Sequence, residues 1–255
     1  MADRKPIIAG NWKMNQTHTE ALSLVRTLSY ELREKDYDRA EVVVCPPFTA
    51  LRTVQLVIED EYLPIGLGAQ NLHWEDEGAY TGEISGAFLK ALHCTYVIVG
   101  HSERRKYFGE TDETVNKRTH AAFRHGLKPI VCVGETDDEH EAGQTEAVVE
   151  RQIRDGLANV SGEQLSQLVI AYEPVWAIGT GKAATAEDAN ETIGLIRKTL
   201  AAISNDDVAQ GIRIQYGGSV SPGNIAQFMS QAEIDGALVG GASLDPKSFA
   251  MIVRY

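Results

Sequence analysis

Four polar residues of this 255-residue chain could together carry out proton-transfer chemistry: Asn11, Lys13, His101 and Glu173. A carboxylate such as Glu173 can remove a proton from carbon, and a histidine such as His101 can polarise and protonate a neighbouring oxygen. A lysine ammonium and an asparagine amide can stabilise the oxyanion that develops during that transfer. Each residue taken alone is more often structural, so the hypothesis of catalysis depends on whether the fold brings the four together.

Glycines near the carboxyl terminus indicate a phosphate-binding region. Gly218-Ser219 and Gly240-Gly241 would offer backbone N–H groups that no bulky side chain blocks, the second pair at the start of a helix. Residues 174–182 have a glycine-containing tip between stiffer ends, which is the pattern of a hinged lid. These residues therefore indicate a phosphate site and a lid.

The elements that must position these residues are predicted by eight short apolar runs with helical patterns between them. Most of the runs are continuous rather than alternating, as expected for strands that are covered on both faces. Thr17-x-x-Glu20 and Thr185-x-x-Asp188 precede helical patterns and predict N-terminal caps. The apolar runs are residues 6–10, 41–45, 64–69, 95–100, 128–133, 167–172, 212–216 and 236–239.

Strands that alternate with helices imply parallel pairing through right-handed crossovers. Eight such units in about 250 residues is the count of a (β/α)8 barrel, so we predict a single barrel domain over residues 1–255. A doubly wound open sheet is the alternative, because periodicity alone does not show that the sheet closes. In a barrel, the polar strand ends would meet on one face, where such enzymes carry out their chemistry.

Composition excludes several other classes of protein. With 24 Lys and Arg against 36 Asp and Glu the formal net charge is −12, which argues against binding to nucleic acid or to an anionic membrane surface. Cys45, Cys94 and Cys132 are far apart and lack zinc-site spacing, so we expect packed thiols and no metal. Because the chain has neither a signal peptide nor an apolar run long enough to cross a bilayer, we expect a cytoplasmic protein.

Five segments, in order along the chain, resemble the triosephosphate isomerase family. They read AGNWKMN at 9–15, VGHSERR at 99–105, AYEPVWAIGTG at 171–181, YGGSV at 216–220 and DGALVGGASL at 235–244. The resemblance implies a TIM barrel that interconverts dihydroxyacetone phosphate and D-glyceraldehyde 3-phosphate through an enediolate, without a metal or an organic cofactor. It also implies a homodimer formed through the loop at residues 70–86.

The same resemblance assigns roles to individual residues. Glu173 would be the base, and a neutral His101 would act as electrophile on the substrate oxygens. Asn11 and Lys13 would stabilise the enediolate, and Glu103 would orient that cluster. Backbone N–H groups would hold the phosphate, and a lid over residues 174–184 would exclude water. The residues implied to hold the phosphate are Gly179, Ser219, Gly240 and Gly241.

Two alternatives stay open at this point. A different phosphate-binding barrel enzyme would have a larger, more apolar pocket and no lid of this kind. A non-catalytic scaffold would lack at least one of Asn11, Lys13, His101 and Glu173, and all four are present. Fold alone would not separate these alternatives, because function depends on the site.

Overall fold

The predicted apolar runs form eight parallel strands that close on themselves. The structure, a computed structural model, describes residues 4–178 and 184–255. Strand order is β1 to β8, and β8 pairs with β1, so the (β/α)8 barrel is confirmed and the open sheet is excluded. The strands are β1 Ile7–Asn11, β2 Glu41–Cys45, β3 Ile65–Ala69, β4 Tyr96–Val99, β5 Lys128–Val133, β6 Val169–Tyr172, β7 Arg213–Tyr216 and β8 Gly236–Val239.

Closure of the barrel depends on a glycine at the first position of β8. Gly236 pairs with Ile7 of β1 and has φ +152°, a backbone conformation that favours glycine. A Cβ atom at this position would lie 1.9 Å from the carbonyl oxygen of Ile7. The seam between the last strand and the first therefore requires a residue without a side chain.

Helices surround the barrel, and two 3₁₀ turns, Val175–Ala177 and Gly241–Leu244, follow β6 and β8. The described α-helices are α1 His18–Glu31, α2 Glu34–Arg39, α3 Phe48–Asp60, α4 Gly86–Ala91, α5 Ser102–Phe108, α6 Asp112–Arg124, α7 Asp137–Glu141, α8 Thr145–Gly156, α9 Gly162–Leu165, α10 Ala186–Ile203, α11 Asp206–Gly211, α12 Ile225–Met229 and α13 Pro246–Arg254. Within the described ranges, none of them combines the length and the apolar character needed to span a membrane.

Both predicted helix caps are present. Thr17 accepts a hydrogen bond from the N–H of Glu20, whose carboxylate accepts from the Thr17 N–H in return at 2.8 Å. The side chain of Thr185 accepts from the N–H of Asp188 at 3.1 Å. These bonds satisfy N–H groups that the first turn of a helix leaves unpaired.

The core has two layers. One fills the space between the strands and the helices, and the other lies inside the barrel. The inner layer takes alternate strand residues, as the period of a β-strand requires. It includes Cys45 and Cys132, and with Cys94 all three cysteines are buried and free, which confirms the expected packed thiols. Burial raises the pKa of Cys94 to about 12.

Candidate active site

The carboxyl ends of five strands surround a cavity of about 330 Å³. Polar residues from β1, β4 and β6 form one part of its wall, and glycine-rich turns after β7 and β8 form another. The convergence predicted from the strand ends is therefore observed. The residues that line the cavity are Asn11, Lys13, His101, Glu173, Ile178, Gly217, Gly218, Ser219, Val220, Leu238, Gly240, Gly241 and Ala242.

One described residue that was singled out in the sequence does not line this cavity. Glu103 lies next to it and contacts the side chain of Lys13. Gly179 and the rest of residues 179–183, which belong to the predicted lid at 174–184, lie outside the described residues.

Glu173 is fixed by its position directly after β6. Its backbone N–H donates to the carbonyl of Val133 at the end of β5 at 2.8 Å. Gly134 allows this approach, because a Cβ atom there would lie 1.8 Å from the carbonyl oxygen of Glu173. The glutamate is only 2% exposed, so its backbone and its side chain are both held inside the barrel mouth.

Three donors orient the carboxylate of Glu173. The backbone N–H of Ser102 donates to Oε2 at 2.9 Å, and the Ser102 hydroxyl donates to Oε1 at 2.8 Å. Nε2 of His101 lies 3.1 Å from the same Oε1. Ser102 and His101 both follow β4, so two consecutive residues of one strand end position the carboxylate that follows β6.

The hydrogen bonds of His101 define its proton position. The backbone N–H of Glu103 donates to Nδ1 at 3.2 Å. Because that nitrogen accepts, a neutral imidazole must carry its proton on Nε2. The Nε2–H then points towards Glu173 and lines the cavity, where it can donate to a substrate oxygen.

Lys13 has an unusual backbone conformation at the end of β1. Its φ is +52°, in the left-handed region that costs free energy for a residue with a side chain. Asn11 Oδ1 accepts from the Lys13 N–H at 3.0 Å, and Gln70 Nε2 donates to the Lys13 carbonyl at 2.8 Å. Held in this way, the Lys13 ammonium contacts Glu103 Oε1 at 2.7 Å, at the edge of the cavity.

The glycine turn after β8 lies against Lys13. A Cβ atom at Gly240 would lie 3.3 Å from Lys13 Cε, whereas one at Gly241 would meet nothing within 4 Å. The sequence predicted that a helix begins here, whereas the structure has a single 3₁₀ turn, Gly241–Leu244. The Ser243 hydroxyl stabilises this turn by donating to the Gly240 carbonyl at 2.7 Å. A short, open turn therefore borders the cavity close to a positive charge.

Two residues that the sequence analysis gave no role contact the predicted ones directly. Ser102 donates twice to Glu173, and Gln70 joins the Lys13 carbonyl to that of Cys45. The sequence signal for both was their position after a predicted strand. Gln70 comes directly after the apolar run at 64–69, and Ser102 is the second residue after the run at 95–100. Cys132 also lies beside Glu173; burial, followed by the charge of that carboxylate, raises the pKa of its thiol well above the ordinary value.

The start of the predicted lid is docked onto the segment after β5. Trp176 Nε1 donates to the buried carboxylate of Glu135 at 2.7 Å, and its ring stacks on His140 with centroids 4.1 Å apart. The Tyr172 hydroxyl donates to the same Glu135 oxygen at 3.0 Å. The turn Val175–Ala177 is thus held against the body of the barrel.

A larger cavity of about 770 Å³ lies beside the first, beyond Glu173 and Ile178. Three of its charged side chains pair with one another: Arg105 and Arg151 both contact Asp112, at 2.6 and 3.2 Å. We place the site in the smaller cavity, where Lys13 and His101 converge with Glu173. Among the described residues, no group of three or more His, Cys, Asp or Glu side chains is arranged to hold a metal ion.

Comparisons with known proteins point to one family. A family model described as triosephosphate isomerase matches residues 6–255. The triosephosphate isomerase of Moorella thermoacetica is 60% identical over 252 residues, covering 99% of each chain. That of Dictyoglomus thermophilum is 56% identical over 98% of this chain and 99% of its own, and that of Streptomyces coelicolor is 53% identical over 100% and 99%.

Proposed function

Because the chain belongs to the triosephosphate isomerase family, we propose that its barrel mouth interconverts dihydroxyacetone phosphate and D-glyceraldehyde 3-phosphate through an enediolate. One observation carries the assignment of the chemistry. His101 Nε2 and Glu173 Oε1 lie 3.1 Å apart at the wall of a cavity of about 330 Å³. A proton acceptor for carbon and a proton donor for oxygen therefore face the same enclosed space, which is what an aldose–ketose isomerisation needs.

In the first step, the Glu173 carboxylate removes a proton from the carbon next to the substrate carbonyl. The electron pair of the broken C–H bond forms a carbon–carbon double bond, and the carbonyl oxygen takes up negative charge. The Nε2–H of His101 donates to that oxygen, and the Lys13 ammonium stabilises its charge. Asn11 supports Lys13 through the bond between its Oδ1 and the Lys13 N–H.

In the second step, the protonated Glu173 returns a proton to the neighbouring carbon. The enediolate collapses to the other carbonyl compound, and His101 exchanges a proton with the two substrate oxygens in turn. Glu103 supports both groups, because its N–H donates to His101 Nδ1 and its carboxylate holds the Lys13 ammonium.

Glu173 must change its contacts before it can act. Both of its oxygens accept hydrogen bonds from Ser102, and Oε1 also faces His101. A carboxylate whose lone pairs are engaged is a weaker base towards carbon. We infer that substrate binding replaces the contacts with Ser102 and brings an oxygen of Glu173 over the reacting carbons.

The substrate phosphate occupies the side of the cavity lined by Ser219, Gly240 and Gly241. Gly241 leaves open space where a side chain would project, and Lys13 lies against Gly240, so N–H groups and a cation can reach a dianion there. We also propose that the Gly179 N–H binds the phosphate and that a lid over residues 174–184 excludes water from the enediolate. Residues 179–183 lie outside the described residues.

We also propose that the chain works as a homodimer in the cytoplasm, through the loop at residues 70–86. Five of the nine large apolar side chains that are exposed among the described residues lie in the segments after β1, β3 and β4. Such a concentration is typical of a protein–protein interface. These side chains are Met14, Tyr80, Phe88, Tyr107 and Phe108.

The direct test is isomerase activity of the purified chain on D-glyceraldehyde 3-phosphate, beside Glu173→Gln. We expect turnover in the unmodified chain and a loss of roughly 10²–10⁴-fold in the variant, because a positioned base contributes about that much. In deuterated water, the unmodified chain should also incorporate deuterium at the carbon next to the carbonyl. Near-normal turnover by a folded Glu173→Gln variant would overturn the assignment of the base.

A further inference from the structure

The loop at residues 70–86, which follows β3, is long for a connection to a helix and has little regular structure of its own. Its two ends are joined, since His73 N–H donates to the Ile84 carbonyl at 2.7 Å. Between those ends the chain projects from the barrel and exposes Tyr80, which is 44% accessible. A loop of this kind needs contacts elsewhere to keep one conformation.

The second half of helix α6 and the residue that follows it, His125, supply those contacts. Arg118 Nε donates to the Leu72 carbonyl at 2.9 Å, and the Arg118 guanidinium lies 4.9 Å from the centroid of the Trp74 ring. The Lys117 ammonium lies 5.5 Å from the same ring. The beginning of the loop is therefore packed against a cationic face of α6.

The contacts at the end of α6 converge on one carboxylate. Arg124 Nη2 donates to Asp76 Oδ1 at 2.7 Å and to the Trp74 carbonyl at 2.6 Å. His125 Nε2 lies 2.8 Å from the same Asp76 oxygen. The hydrogen bonds from Arg124, followed by those from His125, lower the pKa of Asp76, which keeps the carboxylate charged.

A row of aromatic rings connects this clamp to the exposed tip. The rings of Trp74 and His73 have centroids 4.3 Å apart, and those of His73 and Tyr80 are 4.6 Å apart. Gly78, with φ +132°, makes the turn that folds Tyr80 back over the loop. A displacement of Trp74 would therefore reach Tyr80 through direct ring contacts.

We propose that Asp76, held by Arg124 and His125, fixes the loop at residues 70–86 in the conformation that a second copy of this chain binds. The proposal rests on the homodimer proposed above. Its physical basis is preorganisation: a loop that is already ordered loses less conformational entropy on association. The exposed apolar side chains that neighbour the loop, among them Met14 and Phe88, fit a partner surface of the same composition.

The test compares Asp76→Asn with Glu150→Gln. Asp76→Asn keeps the shape and removes the charge that Arg124 and His125 bind. Glu150→Gln removes one carboxylate from a similarly exposed pair with Arg154, at 2.8 Å on α8, and so controls for the change of net charge. The dimer dissociation constant is measured by sedimentation of a fluorophore-labelled chain over a dilution series, and hydrogen exchange of amides 74–83 is measured at a concentration below it.

We expect Asp76→Asn to raise the dimer dissociation constant by roughly tenfold. Each dimer contains two of these loops, and the affinity falls with the fraction of each loop that is in the binding conformation. Exchange of amides 74–83 should accelerate in the variant monomer, while its thermal unfolding midpoint stays that of the unmodified monomer. Glu150→Gln should change neither the dissociation constant nor the exchange rates. A double variant with Arg124→Gln should bind more weakly than Asp76→Asn alone, because Arg124→Gln also removes the bond from Arg124 to the Trp74 carbonyl.

Two results would overturn the proposal and are distinguishable. An unmodified dimer whose dissociation constant is unchanged by Asp76→Asn would show that the clamp does not prepare the loop, and would leave the homodimer standing. A chain that sediments as a monomer at every concentration would overturn the homodimer itself and the clamp with it.

Discussion

The amino and carboxyl ends of the barrel both carry charged side chains that point across its opening, and they differ in what faces those charges. At the amino end, Arg213 Nη1 donates to Glu41 Oε2 at 2.6 Å, and the Tyr96 hydroxyl donates to Glu41 Oε1 at 2.6 Å. Strands β2 and β7 are not neighbours, so the first of these contacts crosses the barrel. Arg213 Nη2 also donates to the Tyr96 hydroxyl at 3.1 Å, which closes the set.

At the carboxyl end, charged groups of the same kinds face a cavity instead. Lys13, His101 and Glu173 all line the cavity of about 330 Å³. The difference shows that charge at a barrel mouth does not by itself mark a site. The groups must also face a space that a ligand can enter, as Lys13, His101 and Glu173 do. The amino-end side chains bind one another across the barrel instead.

The pKa values at the amino end follow from the closed set. Burial alone would raise the pKa of Glu41, but hydrogen bonds from Tyr96 and Arg213 and the charge of Arg213 together hold it below its ordinary value. Burial and the bond to Glu41 raise the pKa of Tyr96. Both groups thus keep the protonation states that stabilise the set, and neither is prepared to exchange a proton near neutral pH.

The largest difference in kcat between the two barrel ends should come from substituting one lysine at each end, Lys13 at the carboxyl end and Lys128 at the amino end. Lys13→Ala removes the cation beside the developing oxyanion, so kcat should fall by roughly 10²–10³-fold. Lys128, the first residue of β5, lies 5.6 Å from the Tyr96 ring at the opposite end. Lys128→Ala should leave kcat and KM within about twofold of the unmodified values, as expected for a surface charge remote from the reaction. Steady-state kinetics on D-glyceraldehyde 3-phosphate would check both, and equal losses would contradict the comparison.

The reverse contrast should appear in stability. Glu41→Gln breaks the charge-assisted bonds to Arg213 and Tyr96, and should lower the free energy of unfolding by about 1–3 kcal/mol. Turnover per folded molecule should stay unchanged, because Glu41 is at the far end of the barrel from Glu173. Urea unfolding followed by circular dichroism measures the free energy of unfolding, and activity at low urea, where the variant is folded, measures the turnover per folded molecule. A loss of turnover without a loss of stability would show that the two ends are coupled.

Much of this arrangement was predictable from the sequence. Because apolar runs covered on both faces are continuous, the strands at 41–45, 128–133 and 236–239 have the predicted bounds. The rule that parallel strands present their carboxyl ends together predicts from the sequence alone that Lys13, His101 and Glu173 lie on one face.

Contacts between side chains on separate strands were not predictable in the same way. Glu41 and Arg213 are 172 residues apart, and no local pattern links them. The bonds from Ser102 to Glu173 depend on the spacing between β4 and β6 and on a serine rotamer, neither of which leaves a periodic signal. The sequence shows which groups reach a barrel end, whereas the registry of the strands decides which of them pair.

Two glutamines, Gln70 and Gln215, allow a smaller comparison between the ends, because each donates to the carbonyls of two strands. Gln70 Nε2 contacts the carbonyls of Lys13 and Cys45, and Gln215 Nε2 contacts those of Ile7 and Ala237, at 3.1 and 3.2 Å. Gln70→Met should lower kcat by roughly tenfold, since Lys13 loses a bond that holds its left-handed backbone in place.

Gln215→Met should change the free energy of unfolding by less than about 1 kcal/mol and leave kinetics unaltered. The substitution also removes a buried oxygen, Oε1, that has no hydrogen-bond partner among the described residues. Kinetics and urea unfolding of the two variants in parallel would check this pair. If Gln215→Met lowered kcat and Gln70→Met did not, the assignment of catalysis to the carboxyl end of the barrel would be wrong.

The smallest expected effect is the pH dependence of the amino-end set. The folded-state pKa of Glu41 is lowered, so the stabilisation that it contributes is complete above the unfolded-state value of about 4.3 and is lost as pH falls through the folded-state value. The difference in unfolding free energy between the unmodified chain and Glu41→Gln should therefore be constant from neutral pH down to about pH 5 and should narrow at lower pH. Urea titrations at a series of pH values would measure it. A difference that narrowed instead between pH 6 and pH 8 would assign the stabilisation to a histidine and remove Glu41 from the comparison.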